Sequence, residues 1–320
     1  MVFVYIALAA ALIAAALLAY CFIRVFFSVR SAHADPFEIP KGEQYREYKD
    51  DIELMVNKIL AVPYEDVYIK SYDGKVLHGR YYPSGRENGP TGIFFHGYRA
   101  NYIRDGMGAQ EMMNNRGINA LLCEARGHGE SEGHTITFGV RESRDVVSWV
   151  NFALERNGKD SEVMLMGLSM GAATVLSSLA REDMPHNVKS VLADCPYSTP
   201  KDILRSVVKS MRLPPDITYG FIRLSARIFG GFDPEEASAF KGVENANAHV
   251  FLVHGTKDTL VPYEMSQRLK ERCKSPCKLL TVEGAEHGMS FHIDKEGYIA
   301  LVNEAADVLD TSIPLKKEDK

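Results

Sequence analysis

The stretch from Val163 to Gly171, Val-Met-Leu-Met-Gly-Leu-Ser-Met-Gly, decides the fold of this chain. A short apolar run opens the stretch, and a helical pattern over 170–182 begins directly after Ser169. Continuous apolar runs of this length are typical of strands that are covered on both faces of a parallel sheet. The glycines on either side of Ser169 fit a sharp turn from strand to helix, where bulkier neighbours would clash. The stretch therefore predicts a serine on a tight turn at the carboxyl end of a buried strand.

The chain from Gly92 onward repeats this alternation of strand and helix. Strands are predicted at 93–95, 119–123, 163–166, 188–193, 250–253 and 278–282, and a hairpin over 66–72 and 76–82 precedes them. The order predicts a doubly wound, mostly parallel α/β sheet. Residues 197–246, which we call the lid, contain two helical patterns, over 200–212 and 216–229, without a strand between them. An insertion of this kind at the carboxyl edge of a sheet is expected to cover a ligand crevice.

The N-terminal segment is apolar, and residues 2–23 carry no charged side chain. As a helix, this run is long enough to cross a hydrocarbon core of about 30 Å. A cleaved signal peptide is the main alternative, because Ala32-His33-Ala34 has the small-x-small form that precedes cleavage. No positive side chain precedes the run, however, and the run is longer than a typical signal-peptide core. A buried core helix is a third alternative, and we expect a transmembrane anchor over 1–30.

The remaining boundaries follow from composition. We expect an amphipathic helix over 43–60 within the juxtamembrane region 31–62, a catalytic domain over 63–312 and a charged tail over 313–320. Arg24, Arg30 and Lys41 follow the apolar run, and only the α-amino group precedes it. The positive-inside rule therefore favours a single-pass membrane protein with its catalytic domain in the cytoplasm. The sequence predicts no oligomeric state.

The composition also excludes some functions. The chain has 320 residues, with 37 Lys and Arg against 42 Asp and Glu and a net charge of −5. Because nucleic-acid binding normally needs a basic excess, we expect no nucleic-acid partner. The five cysteines do not suggest a disulfide framework. Cys273 and Cys277 have no second cysteine or histidine pair nearby in sequence, so we interpret their spacing as incidental.

Two further segments supply partners for Ser169. Asp258 ends the segment His254-Gly255-Thr256-Lys257-Asp258 after one predicted strand, and His287 follows the last strand. A serine hydroxyl is a poor nucleophile until a base removes its proton, which is the role expected of His287. The imidazole in turn needs a carboxylate on its other nitrogen, which is the role expected of Asp258. Asp194 is the alternative carboxylate and His292 the alternative imidazole.

The segment Phe95-His96-Gly97-Tyr98 directly follows the first strand of the alternating region. A tetrahedral oxyanion needs two donors, and we expect them to be the backbone N–H groups of Tyr98 and Met170. His96 and His128 lie in tight turns, where single histidines are usually structural. No histidine spacing typical of a metal site occurs, so we expect neither a metal nor an organic cofactor.

These motifs together resemble the α/β-hydrolase superfamily, in particular its branch of esterases, monoacylglycerol-lipase-like enzymes and S33-type serine aminopeptidases. The resemblance covers 66–312 and rests on His96-Gly97, the run Glu124-Ala-Arg-Gly-His-Gly-Glu-Ser131, the turn at Ser169, and the Asp258 and His287 segments. The family usually has Asp where this chain has Glu124, a departure in a structural turn. The resemblance implies an α/β-hydrolase fold with a helical lid.

The expected function is hydrolysis of a carboxylic ester, with a small acyl ester or a lipid-like molecule as substrate. One alternative is an aminopeptidase-like activity, for which Glu235 and Glu236 are candidate ligands of a free amine. A non-catalytic tethered scaffold is a second alternative. The lid also has a basic row, formed by Lys201, Arg205, Lys209 and Arg212, opposite an apolar face formed by Ile203, Leu204, Val207, Val208 and Met211. The row is either a solvated surface or a contact with an anionic membrane.

Overall fold

Eight strands form one sheet at the centre of the structure. The computed structural model describes residues 1–29, 35–86 and 88–309. The strands are β1 (Glu65–Lys70), β2 (Val76–Tyr82), β3 (Thr91–Phe95), β4 (Asn119–Cys123), β5 (Val163–Leu168), β6 (Val188–Asp194), β7 (His249–Gly255) and β8 (Cys277–Val282). They lie in the order β1-β2-β4-β3-β5-β6-β7-β8. Strand β2 pairs antiparallel with β1 and β4, and all other neighbours are parallel. The prediction of a mostly parallel sheet is confirmed.

Helices cover both faces of this sheet. The α-helices of the described residues are α1 (Val2–Val25), α2 (Glu43–Glu47), α3 (Lys49–Ala61), α4 (Tyr102–Asn115), α5 (Glu142–Asn157), α6 (Met170–Ser178), α7 (Pro200–Ser210), α8 (Pro215–Ser225), α9 (Ala239–Glu244), α10 (Glu264–Arg272), α11 (Ser290–Ile293) and α12 (Lys295–Asp307). One face carries side chains of α3, α4 and α12, and the other carries those of α5, α6 and α9. Every residue of β3 and β4 is buried, which explains why these strands have no alternation of apolar and polar residues.

Two predicted helices differ in detail from the structure. The pattern over 43–60 is divided at Tyr48, whose ψ of 15° ends α2 before α3 begins. The pattern over 216–229 is α8 followed by a π-helical turn, Ala226–Gly230. In the lid, α7, α8 and α9 lie between β6 and β7, as an insertion at the carboxyl edge requires. The carboxyl ends of the parallel strands therefore face the lid.

The N-terminal helix α1 is long and apolar enough to cross a membrane. Its side chains are exposed along most of its length, and its last turns contact the lid at α8. Phe22 lies 5.9 Å, between ring centres, from Phe229 of the lid. Arg30, the predicted cleavage site Ala32-His33-Ala34 and the tail at 313–320 lie outside the described residues.

Candidate active site

Ser169 lies on the turn between β5 and α6 in a backbone conformation that L-amino acids rarely adopt, with φ 56° and ψ −111°. The turn is tight enough to require glycine on both sides. A Cβ atom on Gly171 would lie 1.9 Å from the carbonyl oxygen of Phe95, and one on Gly167 would lie 2.4 Å from the carbonyl carbon of Gly171. The sequence pattern around Ser169 is thus explained by close packing of backbone on backbone.

The structure brings the three predicted side chains Ser169, His287 and Asp258 into one hydrogen-bonded row. His287 Nε2 lies 2.9 Å from Ser169 Oγ, and His287 Nδ1 lies 2.7 Å from Asp258 Oδ2. Each residue follows the carboxyl end of a different strand, β5, β7 or β8. Parallel strands bring these ends to one edge of the sheet, which is how residues far apart in sequence meet. The arrangement is suited to moving a proton from the hydroxyl to the imidazole.

Asp258 is fixed in place by its surroundings. Its Oδ1 accepts hydrogen bonds from the backbone N–H groups of Leu260 and Val261, at 2.9 and 2.8 Å. Its Oδ2 also lies 3.3 Å from Nε2 of the buried His254. Burial alone would raise the pKa of Asp258, but the hydrogen bonds from His254 and His287 outweigh it and lower the pKa to about 2. The carboxylate is therefore ionised throughout the neutral range.

Neither alternative residue belongs to this row, although Asp194 lies next to Ser169. Asp194 is buried at the end of β6, and burial raises its pKa to about 6. Its Oδ1 has no hydrogen-bond partner among the described residues, and its backbone carbonyl accepts the N–H of Ser169 at 2.8 Å. His292 lies in α11, where Nδ1 is 2.9 Å from Asp51 Oδ2. The structure thus brings Asp258 and His287, rather than these two, to Ser169.

The amides of Tyr98 and Met170 lie beside Ser169 on two different elements. Met170 is the first residue of α6, so its N–H has no acceptor within the helix. Tyr98 follows Gly97, and a Cβ atom on Gly97 would lie 3.7 Å from the Cβ of Ser169. Neither amide donates to a protein acceptor in the part of the chain that the structure describes. Two N–H groups near the serine are the donors that a developing oxyanion needs.

The loop that carries Tyr98 is held by a residue that sequence reasoning missed. Asp105, in the first turn of α4, accepts the N–H of Gly97 at 3.0 Å. It lies seven residues beyond Tyr98 in sequence, and no local motif marks it. Only the tertiary fold shows that α4 begins close enough for this contact.

His96 and His128 are buried and bonded to backbone, as expected of structural residues. His96 Nδ1 lies 2.8 Å from Gly97 O, and its Nε2 accepts the N–H of Ala125 at 3.0 Å. His128 Nδ1 lies 3.1 Å from Arg126 O. The Glu124 carboxylate accepts the N–H of Glu130 at 2.7 Å and so stabilises the turn between these two residues.

One group of side chains near the serine has donor atoms suited to a metal ion. The ligand atoms of Cys195, Asp258 and His287 lie within 4.8 Å of one another. Burial raises the pKa of the Cys195 thiol well above its usual value, and a protonated thiol is a poor metal ligand. Asp258 and His287 also already bond to each other. The group therefore fits proton transfer better than metal binding.

A cleft of about 700 Å³ opens above Ser169 and His287. Asp35, residues 38–43 and Tyr45 form one wall, and residues 97–101 with Arg104 and Asp105 form another. Glu235 and Glu236 do not line this cleft. Glu235 instead pairs with Arg223 at 2.9 Å, and Glu236 caps the turn that begins at Asp233. Both glutamates are thus engaged within the lid and do not line the Ser169 cleft, and an amine site at these two residues stays a prediction.

Helix α7 also uses its charges within the lid. Arg205 pairs with Asp216 at 2.7 Å, and Lys201 with Glu235 at 3.6 Å. Ile203 and other apolar side chains of α7 are buried. Met211, directly after α7, is 63% exposed, and further exposed apolar side chains lie on the neighbouring lid helix. Ile217, Phe221 and Leu224 of α8 and Ile228 of the π-helical turn form a stripe at helical spacing, each 38 to 66% exposed.

Comparisons with known proteins find matching families and relatives. The family model for serine aminopeptidase, S33, matches residues 91–219, and the model for TAP-like protein matches residues 232–296. The uncharacterized protein YqkD of Bacillus subtilis is 25% identical over 233 residues, which cover 72% of this chain and 76% of that protein. The thiohydrolase aneE of Aspergillus aculeatus is 30% identical over 136 residues, 42% of each chain.

Solved structures share the fold. The esterase Pf2001 of Pyrococcus furiosus superposes with a TM-score of 0.62 at 24% identity, over 79% of this chain and 93% of that one. Est1E of Butyrivibrio proteoclasticus superposes with a TM-score of 0.57 at 19% identity, over 76% of this chain and 98% of that one. At these identities the likeness shows the fold alone.

Proposed function

We propose that this chain, which is an α/β-hydrolase, is a serine hydrolase that cleaves a carboxylic ester through an acyl-enzyme on Ser169. One observation carries the proposal. Ser169, His287 and Asp258 form a continuous row with contacts of 2.9 and 2.7 Å, and the row ends in a carboxylate that stays ionised. Nucleophilic catalysis by a serine accounts for all three features at this sheet edge, namely the strained serine, the imidazole and the buried carboxylate.

The roles follow from the geometry. Ser169 Oγ attacks the carbonyl carbon of the substrate while His287 Nε2 accepts the hydroxyl proton. Asp258 holds the other ring nitrogen and stabilises the imidazolium that forms. The Tyr98 and Met170 amides donate to the oxyanion, and His287 then protonates the leaving alcohol. Water activated by the same imidazole hydrolyses the acyl-enzyme and returns Ser169 to its starting state.

An ester is the first choice of substrate because solved structures with this fold include proteins named as esterases. A second candidate is an aminopeptidase, which the name of the matching S33 family model favours. In that case the site for the substrate amine would lie on the cleft wall, where Glu38, Glu43 and Glu286 supply carboxylates. Lys41 lines the same wall and offsets part of that charge.

We further propose that α1 anchors the protein in a membrane and that α8 lies against the same lipid surface. The apolar side chains of α1 are exposed, and the exposed stripe of α8 lies beside its last turns. Apolar stripes of this kind bind membranes by burying their side chains at the boundary of headgroup and acyl chain. Because both apolar surfaces would hold the enzyme at a membrane, this arrangement favours a lipid-like or acyl-chain ester as substrate.

Labelling with a fluorophosphonate probe tests the serine mechanism. Wild-type protein in membranes is expected to be labelled and to hydrolyse short acyl esters with a burst of alcohol release. Ser169→Ala is expected to lose both signals while unfolding at the wild-type temperature. The matched control is Ser177→Ala, a buried serine on α6 away from the row. Labelling of Ser169→Ala would contradict the proposal.

A substrate panel separates the two candidate activities. Acyl esters of increasing chain length are compared with aminoacyl amides that have a free or a blocked amine. An ester hydrolase is expected to prefer the esters and to ignore the state of the amine. A clear preference for the free amine would replace the esterase proposal with the aminopeptidase one.

A further inference from the structure

The residues that follow α1 are built into the catalytic domain. Phe26 is 0% exposed and packs edge-on against Phe138 and Phe232, at ring-centre distances of 5.8 and 5.2 Å. Its carbonyl accepts the N–H of Ile136 at 2.8 Å, and the N–H of Ser28 donates to His134 O at 2.9 Å. A segment that only linked an anchor to a domain would need none of these contacts.

The same segment contacts the loop that carries the Tyr98 amide. Tyr98 Oη donates to the carbonyl of Val25 at 2.7 Å. The Arg99 guanidinium donates to the carbonyls of Phe27, at 2.8 Å, and Arg24, at 3.2 Å. The last carbonyls of a helix lack partners within the helix, and a basic side chain is a favourable partner for them. Both residues after Gly97 therefore have side chains bonded to the end of α1.

The loop needs this support. Arg99 has φ 49°, in the left-handed region, and such a conformation persists only where the surroundings hold it. Asp105 fixes the loop at the Gly97 N–H, one residue before Tyr98, and this bond holds the backbone rather than the Tyr98 side chain. The other proposed donor, the amide of Met170, is fixed by α6 itself. The Tyr98 donor is thus the one whose position depends on a distant segment.

We infer that residues 24–28 are a positioning segment for the oxyanion-binding loop and that the mature protein retains them. The inference rests on the proposed function, since it takes the Tyr98 amide as an oxyanion donor. A donor stabilises the oxyanion only within about 2.7–3.1 Å, so a small shift of this loop weakens the transition state. Cleavage before Asp35 would remove Phe26 and the carbonyl of Val25, and would leave the loop without its partners.

Removing a single hydroxyl from the full-length protein tests the positioning role. Tyr98→Phe keeps the ring and the amide and loses only the bond to Val25. We expect kcat on a short soluble ester to fall about tenfold, less than the loss of a whole oxyanion donor, with KM nearly unchanged. Tyr197→Phe is the matched control, because Tyr197 Oη donates to the carbonyl of Phe138 at 3.0 Å within the same aromatic cluster.

The control separates positioning from stability. Both variants lose one hydrogen bond from a tyrosine hydroxyl to a carbonyl, partly buried for Tyr98 and buried for Tyr197, so the control is expected to lower the unfolding temperature at least as much. Only Tyr98→Phe is expected to lower kcat. Equal kcat values for Tyr98→Phe and wild type, or equal losses in the two variants, would overturn the positioning role.

The intact mass of the protein isolated from membranes tests retention. We expect a chain that includes residues 24–28. An active enzyme that begins at Asp35 would overturn this inference and leave the proposed function standing. Wild-type protein that retains the segment but neither binds the fluorophosphonate nor hydrolyses any ester would instead overturn the proposed function, and with it the positioning role.

Discussion

At the scale of single residues, two buried carboxylates near the serine have opposite environments. Asp258 accepts two backbone N–H bonds and faces two imidazoles, which lower its pKa to about 2. Asp194 is equally buried, but its Oδ1 has no partner among the described residues, and burial raises its pKa to about 6. Their hydrogen bonds therefore decide which of the two is a permanent anion.

This contrast gives a prediction about activity. Asp258→Asn is expected to lower kcat by about 10³–10⁴-fold, because an amide can hold the imidazole in the wrong tautomer. Asp194→Asn, which neutralises a carboxylate at the end of the adjacent strand, is expected to keep kcat within a few-fold of wild type. Steady-state kinetics on one soluble ester measure both variants. A larger loss for Asp194→Asn would assign the carboxylate role to Asp194.

The same pair gives a prediction about stability. A folded-state pKa raised from 3.8 to about 6 means that folded Asp194 holds its proton longer than the unfolded chain does. Stability is therefore lost as the pH rises from about 4 to 6, by up to about 3 kcal/mol. Asp194→Asn is expected to remove this loss and to raise the unfolding temperature at pH 8 but not at pH 4. The pH dependence of stability has the opposite sign for Asp258. The stability that its lowered pKa contributes is lost as the pH falls below 3.8 towards 2. A wild-type pH profile of stability in Asp194→Asn would contradict this account.

At the scale of elements, the sequence predicts well what short-range patterns control. The strands around Ser169 and the segments of Asp258 and His287 have local apolar runs and turn residues, so their place at one sheet edge follows from topology. Helix α8 shows the limit. It has apolar side chains on both faces, Tyr219 and Ile222 inside and Ile217 and Phe221 outside, so periodicity alone does not tell which face is buried. Only the packing of the lid decides it.

The exposed stripe of α8 gives a prediction for this element. The double variant Ile217→Ser/Ile228→Ser in the full-length protein removes two side chains that are more than half exposed. Moving each isoleucine from water into lipid contributes about 2 kcal/mol. We therefore expect the rate on a long-chain ester in vesicles, divided by the rate on a short soluble ester, to fall at least about tenfold.

The control for this variant is Leu54→Ser, because Leu54 is an exposed apolar side chain of α3, outside the lid. It is expected to leave the ratio of rates unchanged. An unchanged ratio in the double variant would show that the stripe does not meet lipid.

At the scale of the whole molecule, contacts between distant parts of the chain were the least predictable. The break at Tyr48, the bond from Asp105 to Gly97 and the burial of Phe26 depend on residues far away in sequence or on backbone geometry. The apolar run over 2–23 indicates a membrane helix by its length, but Phe22 and Phe26 also contact the lid cluster. Hydropathy does not distinguish a lipid-facing phenylalanine from one that packs on protein.

The orientation of the molecule is a prediction at this scale. Arg24 lies in the last turn of α1 and Lys41 follows the helix, so the positive-inside rule favours a cytoplasmic catalytic domain. Protease added to sealed inside-out vesicles is expected to digest the domain, whereas right-side-out vesicles are expected to protect it. Detergent, which opens both preparations, is the control. Digestion in right-side-out vesicles alone would reverse the orientation.

The bond between Tyr98 and the end of α1 has one more consequence, which concerns reach. An enzyme on a long flexible linker can reach scissile bonds at many heights above a bilayer. Here the loop that carries the Tyr98 amide is hydrogen-bonded directly to the last turn of the proposed anchor. The height of Ser169 above the lipid is then set by protein geometry. Scissile bonds carried at one depth, near the headgroups, would come within range, and bulky folded proteins would be kept out by the bilayer itself. Selectivity would then depend on the depth of the scissile bond in the membrane as well as on its chemistry.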